Sequence, residues 1–89
     1  MNRNTIWKYA LGPADVQTID VPAFAKLLTV AQQDGVPMLW FEVDPEAVTT
    51  PRTFVIVGTG HEIPEPKRLT YVGSTHSTFV WHLYEQDAV

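Results

Sequence analysis

Apolar and polar positions along this chain alternate with a period of two, in short runs bounded by Pro, Gly and Asp. That period is the signature of half-buried strands. It predicts a first strand over Thr5–Leu11, with Ile6, Lys8 and Ala10 on one face and Trp7, Tyr9 and Leu11 on the other. Gly12-Pro13-Ala14-Asp15 breaks that run as a turn, and Gln17–Val21 follows as a short second strand, so the two are expected to form a hairpin. Pro22–Lys26 reads either as one helical turn, with Asp20 as its cap and Pro22 in its first turn, or equally as a short 3₁₀ turn or plain loop. Leu27–Gln32 is a third strand. Asp34-Gly35 is a strong hairpin signal and leads into a fourth strand, Pro37–Asp44. In that strand Leu39, Phe41 and Val43 share an apolar face, and Met38, Trp40 and Glu42 share a mixed one.

The second half repeats the pattern. Asp44–Pro51 is a proline-bracketed loop, and Arg52–Gly58 is a strand apolar on both faces, as expected for a central position. Ile63–Pro66 is a proline-flanked extended piece that does not suit the middle of a sheet. Leu69–Gly73 is a sixth strand, and Ser74-Thr75-His76-Ser77 is a turn. Thr78–Glu85 is a seventh strand, with Phe79, Trp81 and Leu83 opposite Val80, His82 and Tyr84. The last four residues, Gln86–Val89, are expected to fray. Seven short strands and no helix beyond one or two turns predict an all-β fold: a small antiparallel β-sandwich or partly open barrel, in one domain spanning residues 1–89.

Composition narrows this picture. Val, Ile and Thr make up 25 of the 89 residues, and ten more are aromatic, which suits pleated surfaces. A hydrophobic fraction of 45% against 18% charged residues supplies a core and argues against disorder. The absence of cysteine excludes a disulfide scaffold and a thiolate zinc site. A net charge of −4 argues against binding long nucleic acid. No apolar run reaches the length of a signal peptide or membrane span, so a cytoplasmic protein without a membrane partner is expected. A chain this short buries a modest share of its surface, so a homo-oligomer is expected.

The most distinctive local feature is Gly58-Thr59-Gly60-His61. It reads either as a plain turn or as a ligand loop, whose successive amides would form an anion nest and whose Thr59 and His61 would add side-chain donors. It lacks the Gly-x4-Gly-Lys-Ser/Thr pattern of a P-loop and the third glycine of a dinucleotide fingerprint. The basic residues are few. Arg52 begins the strand that ends in this loop, and Arg68 belongs to the doublet Lys67-Arg68. Singly each reads as solvated surface; converging on one pocket they would hold a phosphate. Trp7 beside Lys8, and Tyr71, are the rings best placed to stack on a base, against the alternative that they are core. His61, His76 and His82 match no metal-ligand spacing, and no metal or other cofactor is expected. Glu62 beside His61 would be an acid/base pair without a nucleophile or metal to serve, so no enzyme is expected.

The chain resembles a family of short proteins encoded in bacteriophage genomes and prophages. The resemblance runs through Ile6-Trp7-Lys8-Tyr9, Leu39-Trp40-Phe41-Glu42-Val43-Asp44, and Arg52-Thr53-Phe54-Val55-Ile56-Val57-Gly58-Thr59-Gly60-His61. It continues through Tyr71-Val72-Gly73-Ser74-Thr75 and Phe79-Val80-Trp81-His82-Leu83-Tyr84-Glu85. It implies a phage-borne accessory protein of the host cytoplasm, and brings no activity that transfers residue by residue. In that context the expectation is an anti-defence sponge. Such a protein sequesters a nucleotide-derived immune signal, a small anionic ligand, in a pocket near a subunit interface. Its ligand-binding set would be Trp7, Lys8, Arg52, Gly58, Thr59, Gly60, His61, Arg68 and Tyr71. The alternative is a protein–protein inhibitor of a host defence enzyme, for which an acidic module suits a basic partner.

Overall fold

The computed structural model describes residues 3–76 and 79–87. It contains seven strands: β1 (Thr5–Ala10), β2 (Val16–Pro22), β3 (Lys26–Gln33), β4 (Val36–Val43), β5 (Thr49–Gly58), β6 (Leu69–His76) and β7 (Val80–Gln86). Sheet A has the order β1-β4-β3 and sheet B the order β2-β5-β7-β6, with every pair antiparallel. This is the all-β, two-sheet architecture that the alternation predicts. β5 lies inside its sheet, as its two apolar faces require. The sequence places strand ends within a few residues, except that β5 begins at Thr49 and β6 runs on to His76. Ser77 and Thr78, assigned to the last turn and the start of the seventh strand, lie outside the described residues, as do Ala88 and Val89 of the expected frayed end. Gln86 still belongs to β7, and Asp87 donates its N–H to the Arg68 carbonyl at 2.7 Å.

One local expectation changes, and one open alternative is decided. β1 and β2 do not pair as a hairpin; β1 joins sheet A and β2 joins sheet B. The Gly12-Pro13 turn carries the chain from one layer to the other instead. Gln17 fixes that corner, because its side chain accepts from the Gly12 N–H and donates to the Gly12 and Ala14 carbonyls, each at 2.7 Å. Pro22–Lys26 is not helical. A tight bend there, closed by Ala25 N–H to the Pro22 carbonyl at 3.2 Å, joins β2 to β3. The single helical turn among the described residues is a 3₁₀ turn at Pro66–Arg68, where Pro66 supplies the fixed φ of a first helical position. The Asp34-Gly35 hairpin forms as predicted, with both residues at positive φ (52° and 79°), the requirement of a type I′ turn.

The inner faces meet in one core. Leu39, Phe41 and Val43 of β4 are fully buried against Phe54 and Leu83 of sheet B, with Val21 and Leu11 closing the sides. Phe41 is the hub: the rings of Tyr9 and Phe54 meet it edge-on, at 5.6 and 6.2 Å between centroids. Opposite β4, the outer face of sheet B carries a second, thinner apolar layer. Val55 and Val57 are buried there beside Tyr84 and His82, their cross-strand partners on β7.

Candidate functional site

The strands run between two ends of the sandwich, and the predicted site residues divide between them. One end carries the turn after β1, the Asp34-Gly35 hairpin and the Gly58–His61 turn. The other carries the bend between β2 and β3, the loop between β4 and β5, and the 3₁₀ turn. Arg52 and Gly58 lie six residues apart on β5, about 20 Å along an extended strand.

Gly58-Thr59-Gly60-His61 is a tight turn. The His61 N–H donates to the Gly58 carbonyl at 3.0 Å, and Gly60 takes φ of 88° while Thr59 stays out of the left-handed region. This is type II geometry, which places glycine at its third position. The Thr59 N–H donates to the Val80 carbonyl at 3.3 Å, so two of the amides that an anion nest would need are already engaged inside the fold. Gly58 is buried for a different reason. A Cβ there would lie 3.1 Å from both His61 Nδ1 and Trp81 Cζ3, so glycine lets the imidazole and indole close over the strand.

The Thr59 hydroxyl lies 2.9 Å from His82 Nε2 and 3.3 Å from the Val80 carbonyl. His82 Nδ1 lies 3.0 Å from the Tyr71 hydroxyl. One proton assignment satisfies all three contacts: Tyr71 donates to Nδ1, Nε2–H donates to Thr59, and Thr59 donates to Val80. The Tyr71 ring also lies tilted against His82 and edge-on to Tyr84, at 5.9 and 5.1 Å between centroids. The structure therefore brings Tyr71 and Thr59 together through His82, a residue outside the predicted set. Its place within a strand, on a face with Val80 and Tyr84, suits a hydrogen-bonded structural histidine, and its partners match that role.

The cations do not converge. Arg52 makes a two-pronged bond to Glu85, Nε to Oε2 at 2.6 Å and Nη2 to Oε1 at 2.7 Å. Its Nη1 donates to the Ala25 carbonyl at 2.6 Å, and the guanidinium lies 5.0 Å from the centre of the Phe41 ring. It thus ties sheet B to sheet A, which leaves little of it for a phosphate. Lys8 donates to Gln33 at 2.7 Å on the outer face of sheet A, while Trp7 points the other way, beside Tyr9. Arg68 is exposed in the 3₁₀ turn, at the end opposite Gly58. Among the described residues no group of His, Asp and Glu could hold a metal ion. No helix among them is long and apolar enough to cross a membrane.

Two concavities remain. At the glycine-turn end a cleft of about 400 Å³ opens between the sheets, walled by Leu11, Pro13, Val30, Ile56, Trp81 and Leu83. No lysine or arginine among the described residues lines it, and Asp15 is its charged group. At the other end a groove of about 530 Å³ runs past Phe24, Pro51, Thr53 and Asp87, with the Arg52–Glu85 pair in its lining. Phe24 is fully exposed, at 103% of its reference area, and its backbone is left-handed with φ of 62°. It occupies the third position of the bend closed by Ala25 and Pro22, where glycine or asparagine is the unstrained choice. Val48, also exposed, lies beside this bend, and its carbonyl accepts from the Ala23 N–H at 2.7 Å. Nothing in the alternation pattern marks Phe24, because its exposure follows from the turn geometry.

Fold and site together define a two-sheet antiparallel β-sandwich with a groove at one end and a cleft at the other. Over residues 2–89 the chain matches the model of a domain of unknown function, DUF7352, and it belongs to that family. No curated protein and no solved structure matches it.

Proposed function

We propose that the protein acts without catalysis, by stoichiometric binding to a protein partner, with Phe24 as the anchor. The observation that carries this reading is Phe24 itself. A phenylalanine in left-handed backbone, fully in water, is disfavoured twice: by about 1–2 kcal/mol of backbone strain and by the exposure of its ring. An aromatic side chain presented on a tight bend is the form that binding anchors take. Its surroundings carry both signs: Asp20 precedes the bend, Asp44 and Glu46 occupy the adjoining loop and Asp87 lines the groove, while Lys26 follows the bend and Lys67 and Arg68 stand at the same end. A partner with an apolar socket and a charged rim of complementary pattern fits that surface. In the phage setting implied by the sequence resemblance, the partner is a host defence enzyme.

Sequestration of a nucleotide-derived signal is the second reading, and one observation favours it. The cleft beside Trp81 has the volume of a small-ligand site and apolar walls suited to a planar ring. It has less support than the first, because no lysine or arginine among the described residues lines that cleft to meet a phosphate.

Affinity isolation from bacterial lysate, with tagged wild type, Phe24→Gly and His61→Ala, separates the two. A partner protein recovered in equimolar amount, lost with Phe24→Gly and kept with His61→Ala, is the expected result. A partner that survives Phe24→Gly would overturn the anchor. A co-purifying nucleotide lost with His61→Ala would replace the inhibitor reading with the sponge.

A further inference from the structure

Four strands form the margins of the two sheets, and three of them carry features that block further pairing. β3 is broken by a bulge between Leu27 and Thr29, and β6 by one between Tyr71 and Gly73. These two strands also lie against one another, with the Gly73 Cβ position 3.1 Å from Val30 Cγ1. On β2 the residues bonded to β5 are the odd-numbered ones, because the Ile56 N–H reaches the Asp15 carbonyl and the Ala23 N–H reaches Val48. Its free side therefore presents Val16, Thr18, Asp20 and Pro22, a row with a charge and one missing donor.

β1 has neither bulge nor proline, and Lys8 is its one charge. It pairs with β4 in unbroken register from Thr5↔Val43 to Ala10↔Met38. The next bond, Leu11 N–H to the Pro37 carbonyl at 2.9 Å, shows that odd-numbered residues bond to β4. The N–H and C=O groups of Asn4, Ile6, Lys8 and Ala10 therefore point away from the sheet. Ile6 is 60% exposed and Trp7 40% exposed on the same strand. An unbulged, proline-free apolar margin of this kind is a template for another strand.

We propose that this margin pairs with β1 of a second copy of the chain, in antiparallel orientation about a two-fold axis, to make one continuous six-stranded sheet. The register follows from three constraints. Directly opposed residues must share a face, so the two position numbers of each pair have an even sum. Hydrogen-bonded pairs must come from the even-numbered residues that face outward. The overlap must be centred on Thr5–Ala10. Two registers meet these conditions. One opposes Lys8 to Lys8, a like-charge pair that destabilises. The other opposes Trp7 to Trp7, Ile6 to Lys8 and Asn4 to Ala10, and forms about eight ladder hydrogen bonds. It also lays the aliphatic stem of each Lys8 over the partner's exposed Ile6. The second register is the one the chemistry selects. The second copy fits better than an unrelated peptide because this sequence complements itself: its one charge meets an apolar residue, and its largest half-exposed ring meets its own copy.

Sedimentation and cysteine cross-linking test the proposal. Wild type should be dimeric, and a monomer at a protein concentration of about 100 µM would overturn it. Lys8→Pro removes an outward N–H and none of the bonds to β4, so it should give a folded monomer; a folded dimer would overturn it. The chain has no cysteine, so single replacements report register cleanly. Trp7→Cys should oxidise to a covalent dimer, because opposed non-hydrogen-bonded positions lie within disulfide reach. Faster cross-linking by Lys8→Cys would overturn the register.

Discussion

The Arg52 guanidinium grips the Glu85 carboxylate at 2.6 and 2.7 Å while it lies over the ring of Phe41, so one side chain of sheet B is bonded within its own sheet and packed on the other. Arg52→Ala is expected to lower stability by about 1.5–3 kcal/mol, since it removes charge-assisted bonds to a half-buried carboxylate and to the Ala25 carbonyl. Arg52→Lys should recover part of this loss, because it keeps the charge and gives up the fork. Urea denaturation reads both. A variant as stable as wild type would return Arg52 to the list of free ligand-binding groups.

The two glycines of the Gly58–His61 turn should behave differently. Gly60→Ala meets no atom within 4 Å and is disfavoured by its positive φ alone, at about 1–2 kcal/mol. Gly58→Ala presses on His61 and Trp81. Its cost should therefore shrink when His61 is also replaced by Ala, while that of Gly60→Ala should not. A double-mutant cycle measures the difference.

His82 should hold its proton on Nε2. Long-range nitrogen–proton correlation spectra at mildly alkaline pH should show this tautomer in wild type. Tyr71→Phe removes the donor to Nδ1 and should admit the other tautomer. A mixed tautomer in wild type would contradict the Tyr71–His82–Thr59 arrangement.

Burial against Phe41 raises the Tyr9 phenol above its ordinary value of 10.0. The folded state holds this proton more tightly than the unfolded chain. The contribution is therefore complete below pH about 10 and is lost as pH rises through the folded value. Stability against urea should fall across that range, and Tyr9→Phe should fall less steeply.

Phe24→Gly should stabilise the isolated protein by about 1 kcal/mol, because glycine adopts φ of 62° freely and the exposed ring buries nothing in the chain. A melting temperature that rises while binding fails would mark Phe24 as a residue kept for a partner.

Strand existence was legible because each face of a strand takes every second residue. Leu39, Phe41 and Val43 announce the buried face of β4 by spacing alone, and Asp34-Gly35 announces its turn. The partners of β1 and β2 were not legible. Alternation reports which face is buried and is silent on which layer a strand joins, and the Gly12-Pro13 corner allows either outcome. Of the candidate site, the Gly58–His61 turn was visible as glycine spacing and Tyr71 as an aromatic near a strand. Their link through His82 was not, because it depends on the register of β6 against β7.

The sequence by itself determined an all-β fold, a single apolar face on β4, a central β5 and an acidic surface, since these follow from periodicity, residue type and charge. Only the tertiary structure decided which groups remained available for binding. Arg52, Lys8 and Thr59 read alike as free donors until folding set Glu85, Gln33 and His82 beside them. Nothing in the alternation marked Phe24, and the bend alone turned it into water. Hydrogen bonds and exposure depend on neighbours brought together from distant positions in the chain, and local pattern carries no record of those neighbours.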